Sequence, residues 1–168
     1  MANDKSVIIG LVNPKSPTNV GAVMRAAGCY QASEVRYSGE RFDKAAKFQT
    51  DTQNINKTIP LVGTEDLLGT LPEEMKIVCV ELVVGATPLP DFVHPEKAIY
   101  IFGPEDNSIP KKIVKQADEV VYVPTIGCMN LAATTNVLLY DRLAKSVQEI
   151  NHDELIKSSR DKNNHLKI

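Results

Sequence analysis

Short runs of consecutive apolar, β-branched residues alternate along this chain with stretches whose apolar positions recur at helical spacing. Val7-Ile8-Ile9-Gly10-Leu11-Val12 is apolar on both sides and stopped by Asn13-Pro14, the pattern of a strand buried on both faces. A polar loop through Pro14, Ser16 and Pro17 follows, with Thr18 or Asn19 as the expected N-cap of a helix. From Val20 to Tyr30 nearly every position is small or apolar and Arg25 is the only charge, so this helix is predicted to be sandwiched. Further strands are predicted at Glu34–Tyr37, Thr58–Val62, Lys76–Val84, Ala98–Phe102 and Glu119–Val123. Helices are predicted at Arg41–Phe48, from Thr64 through Leu68 to a stop at Pro72, at Pro110–Gln116 with proline at its start, and from Leu131 to about Ile150. Asn151 to Ile168 is polar and is predicted to fray.

Strands spaced by helices imply an α/β domain whose mostly parallel sheet carries helices on both faces. One domain over residues 1–150 and a polar tail over 151–168 accommodate the whole pattern. The 168-residue length and 43% hydrophobic content suit a folded domain and exclude disorder, since the net charge is only −2. No apolar run approaches the roughly 20 residues of a membrane-spanning helix. The polar stretch Met1 to Ser6 leads straight into a strand, so no signal peptide is expected and a cytoplasmic location is. Cys29, Cys79 and Cys128 are far apart with no C-x-x-C pair, which argues against a disulfide framework and against a metal site. With a sequence pI near 5.9, any nucleic acid must be held by a local patch rather than by bulk charge.

The common nucleotide and hydrolase signatures are absent: no phosphate loop, no G-x-G-x-x-G after the first strand, no G-x-S-x-G elbow. Three constellations remain. The first runs from Asn13 to Gly28 and places a polar loop at the carboxyl end of strand one, where open α/β sheets bind ligands. In it Arg25 is either a structural tie to a carboxylate or a guanidinium fork for a phosphate or a reacting oxygen. The second, Ile99 to Pro110, is a strand entering a loop in which Gly103 permits close backbone approach. Its Glu105 either accepts hydrogen bonds from a ligand or holds the loop. The third, Val121 to Ala133, is strand, loop and helix, with Asn130 as either helix cap or ligand contact.

Together and in this order, the three segments resemble the SpoU/TrmH family of SPOUT RNA methyltransferases. Asn19, Gly21-Ala22 and Arg25 match the first family motif, and Gly103-Pro104-Glu105 with Ser108-Ile109-Pro110 the second. Pro124, Cys128-Met129-Asn130 and Leu139-Tyr140-Asp141 match the third, and Phe92-Val93-His94-Pro95 resembles a segment common before the second. The resemblance covers Val7 to Ser146. Two departures stand out: Cys128 where the family carries serine, and Asp106-Asn107-Ser108 where it carries a glycine-rich turn.

The resemblance implies a C-terminal trefoil knot, S-adenosylmethionine as cofactor and a homodimer with its active site at the interface. It implies methyl transfer to a ribose 2′-oxygen of RNA, tRNA more than ribosomal RNA. Arg25, Asn19, Glu105 and Asn130 would then be the catalytic set. Backbone around Leu82, Val83, Gly103, Ile126, Met129, Asn130 and Leu131 would enclose the cofactor. The family credits the arginine with acting as base. A guanidinium is always protonated in proteins, so Arg25 is assigned instead to phosphate anchoring and stabilisation of the developing alkoxide. Asn19 would orient the ribose or Arg25, and Glu105 would brace the loop. Arg41, Lys44 and Lys47, with Lys157, Arg160 and Lys162 of the tail, are the candidate RNA contacts. Two other readings stay open: a non-catalytic RNA-binding protein of the same fold, and a base N-methyltransferase. No metal and no membrane are expected.

Overall fold

The computed structural model describes residues 6–47, 59–146 and 148–168. In chain order it contains β1 (Val7–Leu11), α1 (Pro17–Cys29), β2 (Glu34–Tyr37), α2 (Arg41–Ala46), β3 (Leu61–Gly63) and β4 (Lys76–Val80). These are followed by β5 (Thr87–Pro88), β6 (Ala98–Phe102), α3 (Lys111–Val114), β7 (Glu119–Tyr122), α4 (Leu131–Lys145) and α5 (His152–Ser159). The seven strands form one sheet in the order β3-β2-β1-β6-β4-β7-β5, and every pairing is parallel. The expected α/β sheet is therefore present. Among the described residues, no helix is long and apolar enough to cross a membrane.

The two-residue period of the strands sorts the core into two layers. Val7, Ile9 and Leu11 of β1, Tyr100 and Phe102 of β6, and Val78 and Val80 of β4 face α1 and α4, which pack against each other. Ile8 of β1, Ile99 and Ile101 of β6, and Cys79 of β4 face the other way, onto Leu67, Ile109 and Ile113. Both faces of the central strands are covered, which is why they read as unbroken apolar runs.

Several local expectations are corrected. The cap of α1 is Ser16, not Thr18 or Asn19: the Ser16 hydroxyl accepts the Asn19 backbone N–H at 3.2 Å and Pro17 opens the helix. The segment from Thr64 to Pro72 forms turns instead of a helix. Thr64 Oγ1 accepts the Asp66 N–H and Asp66 Oδ1 accepts the Leu68 N–H, so side chains take the donors a helix would need. Strand β4 ends at Val80, four residues before the expected Val84, where the Glu81 carboxylate accepts the Leu82 N–H. Helix α4 stops at Lys145, and the tail expected to fray carries α5, capped by Asn151. Strand β3 begins at Leu61; Phe48, Thr58 and residues 1–5 lie outside the described residues.

A polar clasp holds α4 to the segment before β6. His94 Nδ1 lies 2.8 Å from the Tyr100 hydroxyl, and His94 Nε2 lies 2.7 Å from the Asp141 carboxylate. Arg142 donates to that hydroxyl and to the Pro95 and Glu96 carbonyls. Lys145 donates to the Leu89 and Phe92 carbonyls and pairs with Asp141 at 2.8 Å. Tyr100 is fully buried, and its hydroxyl proton finds an acceptor at His94 Nδ1. That directs the chain Tyr100 to His94 to Asp141 with a neutral imidazole.

Burial holds the His94 pKa below its ordinary value, outweighing the Asp141 contacts that would raise it. The unfolded chain therefore binds a proton that the folded chain refuses, and stability falls as pH drops below about 6.5. In thermal unfolding against pH, the parent protein is expected to lose Tm on that acid limb. His94→Gln is expected to start lower at neutral pH and to show a shallower slope. An equal slope in the variant would assign the acid limb to other groups.

Candidate functional site

A pocket opens at the carboxyl ends of β4, β6 and β7, the edge where parallel sheets present their ligand sites. Val80, Phe102 and Tyr122 form its floor, and Thr125, Gly127, Cys128 and Met129 its far wall. Gly127 turns that loop with a φ of +89°, a conformation that favours glycine. At Gly103 a Cβ would lie 3.1 Å from the Ile109 nitrogen, 3.2 Å from the Glu81 carboxylate and 3.3 Å from the Asn107 carbonyl oxygen. A side chain there would crowd the loop after β6 and the Glu81 carboxylate.

Beside the pocket, one hydrogen-bonded path links the three constellations. Asn130 caps α4, its Oδ1 accepting the Ala132 and Ala133 N–H groups at 2.8 and 3.3 Å. Its Nδ2 must then point outward, and it donates to Asn19 Oδ1 at 3.1 Å. Asn19 Nδ2 in turn donates to Glu105 Oε1 at 3.1 Å. Glu105 also accepts the Lys15 and Ser16 backbone N–H groups at 2.9 and 3.1 Å. Burial would raise the Glu105 pKa, but these donors together hold it below the ordinary carboxylate value, so Glu105 is ionised at neutral pH. Because Ser16 serves as the α1 cap, the side chain of Asn19 is free for this path.

A second tie closes the loops from outside. Arg41 makes a two-pronged pair with Asp106 at 2.9 and 3.0 Å and donates to the Asn13 carbonyl at 2.7 and 3.2 Å. The Arg41 hydrogen bond is the main reason the Asp106 pKa is lowered. Lys44 pairs with Glu40 at 2.8 Å, and Lys47 is exposed. Arg25 is exposed on α1, with no hydrogen bond or ion pair among the described residues.

Of the positions expected around a cofactor, Leu82, Gly103, Met129 and Leu131 line the pocket. Val83 and Ile126 are exposed and outside the lining, and Asn130 stands next to it as helix cap. Glu81, Thr125 and Thr134 line the pocket without having been singled out in sequence. Glu81 follows directly on a strand, and an acidic residue ending a buried strand was the available signal. Cys128, exposed, also lines the pocket, whereas Cys79 is buried. Burial first, and the Glu81 charge second, push the Cys79 thiol up to about 12, which leaves it unreactive.

A model of the SpoU rRNA Methylase family matches residues 6–140. The chain belongs to this family. No curated protein matches it. Among solved structures, the SpoU methyltransferase AviRb from Streptomyces viridochromogenes, in complex with AdoMet, is similar at TM-score 0.68 and 17% identity, over 84% of this chain and 58% of that one. This chain thus spans less than two thirds of the AviRb length. The A. aeolicus TrmH/SpoU tRNA modifying enzyme is similar at TM-score 0.66 and 16% identity, over 92% and 87% of the two chains. A structure concerning 2-OH methylation on tRNA is similar at 0.66 and 19%, over 84% and 96%. These likenesses show a shared fold.

The path is testable apart from activity. Asn130→Ala removes the α4 cap and is expected to cost about 1 kcal/mol in denaturant unfolding. Asn130→Asp keeps the cap but loses the donor to Asn19. It is expected to stay within about 0.5 kcal/mol of the parent while freeing the Asn19 amide, seen as a shift of its side-chain NMR resonances. Unmoved Asn19 resonances would show that the path is not formed.

Proposed function

We propose that this protein transfers a methyl group from S-adenosylmethionine to a ribose 2′-oxygen of RNA, with tRNA as substrate class, and that it acts as a homodimer. The observation that carries this reading is the hydrogen-bonded path that gathers Asn19, Glu105 and Asn130 at the rim of the pocket. The residues present fit the cofactor: an open floor at Gly103, apolar walls from Leu82, Met129 and Leu131, and polar backbone at three strand ends. When bound, S-adenosylmethionine supplies the methyl group on a sulfonium electrophile. The tRNA class is supported by the two similar structures that concern tRNA.

Asn19 and Glu105 hold the Lys15–Ser16 turn in one geometry, which sets where an incoming ribose sits relative to the pocket. Arg25, permanently charged, anchors phosphate and stabilises the developing alkoxide. It does not line the pocket of its own chain, and small residues surround it on α1: Gly21, Ala22 and Gly28. On α4, Val137 and Tyr140 are exposed. A second copy packed on this face would bring Arg25 to the neighbouring pocket, which supports the two-fold arrangement. The family resemblance implies a trefoil knot at this end of the chain, where Arg142 and Lys145 tie α4 to the segment Leu89–Glu96. Arg41, Lys44 and Lys47 would offer charge to RNA, Arg41 and Lys44 by exchanging their present carboxylate partners for phosphate.

The test is methyl transfer to tRNA transcripts, with nucleoside analysis of the product. A 2′-O-methylnucleoside is expected. A methylated base nitrogen would select the base-methylating reading, and RNA binding without transfer the non-catalytic one. Arg25→Ala is expected to slow single-turnover transfer at least about 100-fold with cofactor affinity kept. An unchanged rate removes Arg25 from the reaction. Changing Lys44 and Lys47 together to alanine is expected to weaken RNA binding and lower its salt slope by about 2. An unchanged slope removes them from the interface.

A further inference from the structure

We propose that Glu81 reads the ribose diol of the nucleoside bound in this pocket; the inference rests on the cofactor reading above. Ile77, Cys79 and Glu81 occupy alternate positions on one side of the strand, and Glu81 is the first of the series to leave the core and line the pocket. Its Oε1 accepts the Leu82 N–H at 2.9 Å and its Oε2 the Ile109 N–H at 3.1 Å. A carboxylate offers about four acceptor positions, so about two remain, and only a hydrogen-bond donor is suited to them. Glu105 is already taken by three donors and Asp106 by Arg41. Glu81 has no ion pair among the described residues. Glu81 and Glu105 both line the pocket, but of the two only Glu81 keeps room for a pair of donors.

The neighbouring strand explains the access. β6 pairs with β4 and ends at Phe102, and at the next residue, Gly103, a Cβ would stand 3.2 Å from Glu81 Oε2. An acidic residue just past a parallel strand, beside a glycine that lets a nucleoside approach the backbone, is the combination that binds ribose hydroxyls in doubly wound nucleotide sheets. Here it recurs without any glycine-rich fingerprint. A vicinal diol brings two donors to the two remaining acceptor positions.

Calorimetric titration of the full chain with 5′-methylthioadenosine and its 2′-deoxy and 3′-deoxy analogues tests this, since these ligands carry neither sulfonium nor amino acid. For the parent protein, each deoxy analogue is expected to bind about tenfold more weakly than the diol. For Glu81→Ala, diol and deoxy ligands are expected to bind alike within about twofold. Glu81→Gln, which keeps one acceptor, is expected to fall between, and circular dichroism checks that both variants fold. Equal loss for diol and deoxy ligands in Glu81→Ala overturns the proposal, because Glu81 then only pins the loop through Ile109. A loss seen with S-adenosylmethionine but not with S-adenosylhomocysteine or methylthioadenosine also overturns it, in favour of a contact with the sulfonium charge. If the parent binds none of these ligands, the cofactor reading itself fails, a result distinct from either.

Discussion

The Glu105 carboxylate collects donors from parts of the chain nearly ninety residues away. The turn between β1 and α1 leaves the Lys15 and Ser16 backbone N–H groups without partners in any strand or helix. Unpaired donors of that kind leave the turn without a fixed geometry unless an acceptor is supplied. Glu105 supplies it from the loop after β6, and its remaining capacity fixes Asn19. Because Asn130 is oriented by the backbone it caps, each amide along the path has one allowed orientation. The polarity runs from the α4 N-terminus to the carboxylate, so the ends of three different strands share one geometry.

The loop after Glu105 shows the same logic in a different form. Where the family resemblance led us to expect a glycine-rich turn, this chain reads Asp106-Asn107-Ser108. The structure supplies partners for that sequence. Asp106 is held by Arg41, the Ser108 N–H is accepted by Asn107 Oδ1 at 2.8 Å, and the Ile109 N–H is accepted by Glu81. Side chains therefore satisfy the backbone and fix the loop. Arg41 closes the loop from outside, joining Asp106 to the Asn13 carbonyl.

Helix α4 connects the site to the rest of the fold. Its first residue follows the Asn130 cap at the pocket, and its last turns are held by carbonyls of the Leu89–Glu96 segment through Arg142 and Lys145. Cationic side chains near a helix C-terminus are favourable in any case. Here they also satisfy carbonyls of a connection that has no sheet partner.

The central strands and the order of elements were legible in the sequence, because strands buried on both faces must be apolar without interruption and only sheet-covering helices can join them in parallel. β2 and β6 were located to the residue for that reason, and Asn19, Glu105 and Asn130 stood out as polar groups at strand and helix ends. The turn at Thr64–Leu68 was not legible, since local side-chain bonds and helix compete there for the same N–H groups. Nor was the place of Glu81 in the pocket, because its second partner, the Ile109 N–H, lies 28 residues further along the chain. The path Asn130 to Asn19 to Glu105 and the link from His94 to Asp141 join residues far apart along the chain. Sequence determined which residues had hydrogen-bonding capacity to offer; only the tertiary structure decided which of them met, because the distance between two side chains is set by how the sheet is ordered.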